Sequence, residues 1–276
     1  MANWFITGVS SGLGRALARA ALVRGDRVVG TLRSEAARAE FASLAPDRAY
    51  GLILDVTDES AVIAAVARAE LLTGGLDIVV NNAGYGLTGA IEETGLDQVR
   101  AIFETNVIGP LAVIRAALPY LRARRAGHII NITSVSGLAA WAGTALYGAS
   151  KFALECIGRT LAQEVGPLGI RVTNVAPGGL RTGFSADALQ DADGDIADYA
   201  ATAHLARTIL TGHRGKEPSD PALAAQAILK IADAPEPPLL LILGPDALKY
   251  AEYEFAALNA DIAAWKDLSL STAIEE

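Results

Sequence analysis

The sequence predicts an α/β fold of the doubly wound, Rossmann-like kind, with a seven-stranded parallel sheet and helices on both faces. Short β-rich runs alternate with longer stretches of helical apolar spacing, the order that gives parallel strands joined by crossover helices. The runs are apolar almost throughout rather than at every second position, as strands covered on both faces require. A glycine-rich loop also stands where the first strand gives way to the first helix.

The elements follow in order. "WFIT" (4–7) is the first strand and runs into "TGVSSGLG" and a helix that places Leu13, Leu17 and Ala21 on one stripe, with Gly25 as its stop. "RVVGTL" (27–32) and "YGLILD" (50–55) are the next strands. "DESAVIAAVARAELL" opens on an acidic cap and carries Val62, Val66 and Ala69 at helical spacing. "DIVVNN" (77–82), "HIINIT" (128–133), "RVTNVA" (171–176) and "PLLLIL" (238–243) complete the sheet. The pattern breaks once, between Ala176 and the helix "DPALAAQAILKIAD". Because ligands of open α/β sheets bind at the carboxyl ends of the strands, residues 184–219 are expected to form a substrate lid, with a plain linker as the other reading. Residues 244–276 read as a helical extension offering Leu248, Tyr253 and Leu258 to the body or to a partner chain, and residues 1–276 as one domain.

Composition narrows the function. A chain of 276 residues that is 51% hydrophobic can bury a sizeable core, and a net charge of -8 is the wrong sign for a nucleic-acid footprint. The single cysteine, Cys156, permits no internal disulfide and is expected to be a buried thiol. No apolar run approaches the ~18 residues that span a bilayer, and the first strand starts too early for a signal peptide, so no membrane partner and a cytoplasmic setting are expected. His128, His204 and His213 lack ligand spacing and read as surface or loop residues, so no metal is expected.

The glycine loop suits a dinucleotide. Gly8 permits a tight turn, Gly12 lets the backbone approach a pyrophosphate, and Gly14 allows close helix packing, while free N–H groups at the helix start face the anion. Ser10, Ser11 and Leu13 share that loop. Taken alone it can equally be an ordinary turn. At the end of the second strand, where an acidic residue would bind the ribose of NAD, Leu32 and Arg33 stand instead, which favours NADP(H) over NAD(H); Ser11 can add a donor to the same phosphate. The plainer reading of Arg33 is a solvated helix-start residue with Glu35 nearby. Asp55, with Val56 after it, can meet the adenine, and "NNAG", containing Asn82, Ala83 and Gly84, supplies a turn beside the adenine ribose.

Tyr147 and Lys151 are four residues apart and so share a helix face. Lys151 is the only lysine in the first 215 residues. A nearby ammonium stabilises a phenolate by roughly 4 kcal/mol at 4 Å, enough to bring the phenol's pKa into a useful range. A core phenol beside a surface cation is the alternative. Ser134, at the carboxyl end of "HIINIT", can donate to a carbonyl oxygen or simply cap a turn; Asn106, a polar residue on an apolar helix face, can serve the same cleft or only bond backbone.

"TGVSSGLG", "NNAG", Asn106, Ser134, "YGASK" and "PGGLRT" (177–182), in this order, resemble the short-chain dehydrogenase/reductase family over residues 3–183. The resemblance implies that Ser134 orients a carbonyl, that Tyr147 is the acid/base, and that Lys151 holds the nicotinamide ribose and lowers the tyrosine's pKa. It further implies that Asn106 supports a proton-relay water, and that Pro177, Gly178 and Thr182 lie at the nicotinamide. The "TLR" end of the second strand is similar to NADP-preferring members, some hydroxysteroid dehydrogenases among them. The expected activity is hydride transfer between NADP(H) and a small-molecule ketone, aldehyde or alcohol. A non-catalytic NADP(H) sensor and a nucleotide-sugar isomerase or dehydratase are the competing classes. The resemblance also implies a homodimer or homotetramer packed through helices near 97–123 and 145–166.

Overall fold

The structure, a computed structural model, describes residues 1–184 and 188–274. Its strands are β1 (Asn3–Ile6), β2 (Arg27–Leu32), β3 (Ala49–Ile53), β4 (Ile78–Asn81), β5 (Gly86–Thr88), β6 (Gly127–Ile132), β7 (Ile170–Pro177), β8 (Leu189–Asp191) and β9 (Leu240–Leu243). Seven of them form one parallel sheet in the order β3-β2-β1-β4-β6-β7-β9. The chain runs outward from β1 in one direction and from β4 in the other, so the strand order reverses between them and opens a crevice at their carboxyl ends.

The helices are α1 (Gly12–Arg24), α2 (Glu35–Ser43), α3 (Glu59–Thr73), α4 (Leu96–Phe103), α5 (Gly109–Arg124), α6 (Ala145–Val165), α7 (Ala203–Gly212), α8 (Pro221–Ala232), α9 (Pro245–Ala264) and α10 (Lys266–Leu270). In β1, Trp4 and Ile6 point into a core shared with Leu17 of α1 and Ile228 of α8, while Phe5 points into the opposite core with Val66 of α3 and Val113 of α5. Alternate residues thus meet different helical layers, so both faces of the strand are apolar in Trp4, Phe5 and Ile6. Asp58 caps α3 by accepting from Ala61 N at 3.0 Å, and Gly25 ends α1 in the left-handed region.

A buried asparagine ladder fixes the centre of the sheet. Asn81 of β4 donates to Asn131 of β6 at 2.9 Å, Asn131 donates to Asn174 of β7 at 3.0 Å, and Asn174 donates to the Glu155 carbonyl of α6 at 2.8 Å. The three are register partners. A slip of one residue would leave these amides unpaired in apolar surroundings, so the ladder specifies alignment and seats α6 on the sheet.

Four features differ from the sequence expectation. β5 and β8 form a separate two-stranded parallel sheet, tying the chain after β7 to the chain after β4. Cys156 is exposed, because α6 buries the stripe through Lys151, Glu155 and Gly158 and turns Phe152 and Cys156 outward. His128 is no surface or loop residue: it lies wholly buried in β6 with Nε2 2.9 Å from Thr173 Oγ1, and burial, aided by Arg171, pushes its pKa down to about 4. The continuous helical run Leu96–Arg124 is long and apolar enough by length and composition to cross a bilayer, and half of its most apolar 18-residue window is buried within the fold. Its apolar length comes from lining the core against α3 and the sheet.

Candidate active site

The crevice widens into a cavity of about 1530 Å3. One end is built largely from backbone. Gly8, Ser10, Ser11, Gly12 and Leu13 form its floor at the start of α1, where no side chain caps the first turn. Gly12 sits at φ +57, and a methyl group there would meet only Thr182, at 3.8 Å. Gly14 lies behind the loop: a Cβ on it would stand 2.3 Å from the Gly8 carbonyl oxygen and 2.4 Å from Asn82 Nδ2. That amide holds the loop by donating to the carbonyls of Thr7 (2.8 Å) and Gly8 (3.0 Å).

Arg33 is exposed at the rim beyond the buried Leu32. Glu35, the nearby countercharge, pairs with Arg38, which holds its carboxyl below the usual range and leaves the field of Arg33 in place. Asp55 accepts from Thr57 N at 3.0 Å and Thr57 Oγ1 at 2.8 Å, bonds that lower its pKa, and Arg33 adds a smaller effect. Val56, Asn82, Ala83, Gly84, Pro177, Gly178 and Thr182 line the same end. An uncapped helix start and an open path over glycine backbone fit an anionic dinucleotide.

Ser134, Tyr147 and Lys151 come together on the cavity wall. Ser134 follows β6 and accepts from Ser136 N at 3.1 Å, so the turn-cap role and a place in the cleft coexist. Lys151 is buried, and its Nζ donates to the Ile132 carbonyl at 3.0 Å and lies 5.9 Å from the Tyr147 ring centroid. Burial pushes the Lys151 pKa down to about 8. It also raises that of Tyr147, against a smaller opposing effect of a hydrogen bond from Ser134. In the chain alone, burial thus shifts the Tyr147 phenol in the opposite direction to the lowering expected from Lys151.

Asn106 does not line the cavity. It is fully buried in a π-helical turn, Glu104–Ile108, between α4 and α5. Pro110, four residues on, has no N–H to return to the Asn106 carbonyl, and this local break accompanies the wider turn. The Asn106 side chain accepts from Tyr85 N at 3.1 Å and donates to Tyr85 O at 2.9 Å and to Ser150 Oγ at 3.1 Å. Ser150 in turn donates to the Tyr147 carbonyl at 2.7 Å, so Asn106 braces the backbone on both sides of the cleft.

The other end of the cavity carries no motif and was not foreseen residue by residue. Its walls are mainly Leu87, Trp141, Phe184, Leu189, Ile209, Leu210, Tyr250 and Tyr253, with Gln190, His213 and Glu254 among them. The Phe184 ring is tilted against Tyr147 with centroids 6.1 Å apart. These side chains come from six separate elements and loops, so no contiguous run of the sequence marks them. Of the expected lid, residues 185–187 lie outside the described residues, as do 275–276 of the extension. The described part is anchored by Glu93, which accepts from Ala90 N (2.7 Å), Ile196 N (2.6 Å) and His204 Nε2 (2.7 Å). Those bonds hold the Glu93 pKa at about 2. His204 and Asp195 thus approach Glu93 closely despite their sequence spacing, but the carboxylate is already filled by donors.

A family profile described as short chain dehydrogenase matches residues 3–193. The chain belongs to this family. As a short-chain dehydrogenase it is an NAD(P)-dependent oxidoreductase. It is 38% identical over 271 residues to Oxidoreductase BOA17 of Botryotinia fuckeliana, covering 98% of each chain. A crystal structure of a short-chain dehydrogenase from Streptomyces avermitilis superposes with a TM-score of 0.93 at 38% identity, over 99% of this chain and 100% of that one. A closed form of serine dehydrogenase complexed with NADP+ gives 0.76 at 25% identity, over 88% of this short-chain dehydrogenase and 94% of the other chain.

Proposed function

We propose that the protein is an NADP(H)-dependent reductase or dehydrogenase that interconverts an apolar ketone or aldehyde and its alcohol, with Tyr147 as acid/base. The observation that carries the reading is the meeting of Ser134, Tyr147 and Lys151 between a backbone-built anion cradle and an apolar chamber. The nicotinamide, when bound, supplies or accepts the hydride. Gly8 to Leu13 and the first turn of α1 hold the pyrophosphate, and Arg33 at the rim pairs with the 2'-phosphate. Asp55, Val56 and Asn82 to Gly84 border the adenosine; Pro177, Gly178 and Thr182 border the nicotinamide.

In the reducing direction Ser134 donates a hydrogen bond to the carbonyl oxygen, and Tyr147 Oη gives its proton to that oxygen as the carbon is reduced. A protonated phenol is the acid this step needs, and the burial that raises the Tyr147 pKa keeps it in that form. Lys151, charged below about pH 8, stabilises the phenolate left behind. Asn106 keeps the Tyr85 and Tyr147 backbones in place, directly and through Ser150.

Residues 184–219 act as the lid, and residues 1–276 as one catalytic unit in a cytoplasmic homo-oligomer. A cavity larger than the ~300–1,000 Å3 of a usual single-ligand site has room for the dinucleotide and a bulky substrate together. The test is a panel of ketones graded from polar to apolar, followed by the absorbance of NADPH and of NADH. Turnover that rises with apolar size and prefers NADPH supports the reading; cofactor binding without turnover on any of them favours the sensor.

A further inference from the structure

The turn after β7 is clipped to the place where β9 gives way to α9. Gly178 N donates to the Leu243 carbonyl at 2.9 Å, Gly179 N donates to Asp246 Oδ2 at 2.7 Å, and the Gly179 carbonyl accepts from Ser219 N at 3.1 Å. Of these three bonds only that of Asp246 depends on a side chain. The same carboxylate fills the space beside Gly178: a Cβ there would stand 2.4 Å from each Asp246 oxygen and 2.6 Å from its Cγ. Gly178 is not in the left-handed region, so its missing side chain is a matter of room and not of backbone conformation. Asp246 lines the cavity together with Pro177, Gly178, Gly179 and Thr182.

The stability of α9 does not explain this residue. Gly244, at φ +110, is the N-cap of α9, no side chain caps the helix, and the hydrogen bond of Asp246 goes to a residue 67 positions earlier in the chain. The helix dipole favours an acid in the first turn, but it favours an exposed one equally. Here Oδ1 is buried with no hydrogen-bond partner among the described residues, an arrangement that costs desolvation. Ala247 and Ala251 are buried behind it, the latter against Leu138 and Ala176, so the carboxylate is held in place from the sheet side.

We propose that Asp246 is a positioning residue for the nicotinamide, fixing the turn 177–179 against which the ring is held. The inference rests on the reading that a bound dinucleotide places its ring beside Pro177, Gly178 and Thr182. Asp246 touches no reacting atom and acts through the turn. Two consecutive glycines leave that turn free to sample other backbone conformations, and a ring seated on it loses affinity for each one it must select against. Leu243 pins the peptide before Gly178 and Asp246 pins the one after it, which leaves a single shape for the ring to meet.

Fluorescence titration of the full chain with NADPH, beside calorimetry with 2',5'-ADP, which fills the adenosine end alone, tests this. Asp246→Ala is expected to weaken NADPH about 10-fold and to leave 2',5'-ADP unchanged, a split that a merely structural residue does not give. Asp246→Asn, whose amide oxygen accepts from Gly179 N, is expected to recover most of the loss. Gly178→Ala should weaken NADPH in the wild-type chain but add little in Asp246→Ala, where the methyl group has room. The proposal is overturned if Asp246→Ala binds NADPH as the wild type does, if it loses both ligands alike, or if Asp246→Asn is no better than Asp246→Ala. Wild-type protein that binds NADH but not NADPH refutes the 2'-phosphate reading instead, and the same comparison then decides the proposal with NADH and ADP-ribose.

Discussion

The two ends of the cavity are made differently. At the dinucleotide end the surface is backbone: a glycine turn, the open N–H groups of α1 and the loop after β4, held by the amide of Asn82. At the far end it is side chain: Trp141, Phe184, Leu189, Ile209 and Tyr250, brought from remote segments. A backbone surface needs particular small residues at fixed spacing, so it leaves a motif. An apolar wall needs only bulk, which many residues supply, so it leaves none.

Tyr147 stands at the junction, and its replacement gives the largest expected effect. Tyr147→Phe should lower turnover by about 10²- to 10⁴-fold while NADPH affinity, followed by fluorescence titration, stays nearly unchanged. Retained turnover would remove the acid/base from the junction altogether.

Acid should separate the sheet from the lid. His128 has its pKa pushed from 6.5 to about 4 in the fold, so between those values the unfolded chain binds a proton that the folded chain refuses. Stability is therefore present above pH 6.5 and falls, by about 3 kcal/mol, as pH drops toward 4. Glu93, lowered from 4.5 to about 2, adds its loss only below pH 4.5, when the anchor of the segment after β7 protonates. Urea midpoints across pH 4–7 should flatten in His128→Gln; an unaltered slope would assign the acid sensitivity elsewhere.

Arg33→Glu tests the dinucleotide end by itself. Loss of one charge-assisted contact should weaken NADPH about 10- to 100-fold and leave NADH little changed, read by calorimetry. Equal loss for both cofactors would show that Arg33 serves the loop and not a 2'-phosphate. The smallest effect belongs to the far wall: Phe184→Ala should raise KM for an apolar ketone a few-fold with no change in cofactor affinity, since Phe184 is already 37% exposed. If NADPH affinity falls instead, the two ends are not independent.

Legibility followed the same division. The strand runs, the stripe Leu13, Leu17 and Ala21, and the Asp58 cap depend on local spacing and are found as read. Cys156 and His128 were misjudged because their exposure depends on which helix stripe or strand neighbour covers them, which is not a local property. The pairing of β5 with β8 joins segments about a hundred residues apart and has no alternating pattern of its own, since each strand has three residues.

By itself the sequence determined the parallel sheet, the glycine turn and the four-residue spacing of Tyr147 and Lys151, since periodicity and backbone freedom are carried by consecutive residues. Tertiary structure alone decided the protonation balance of that pair, the brace from Asn106 through Ser150, and the apolar chamber. Desolvation and enclosure arise only when distant segments exclude water from the same space.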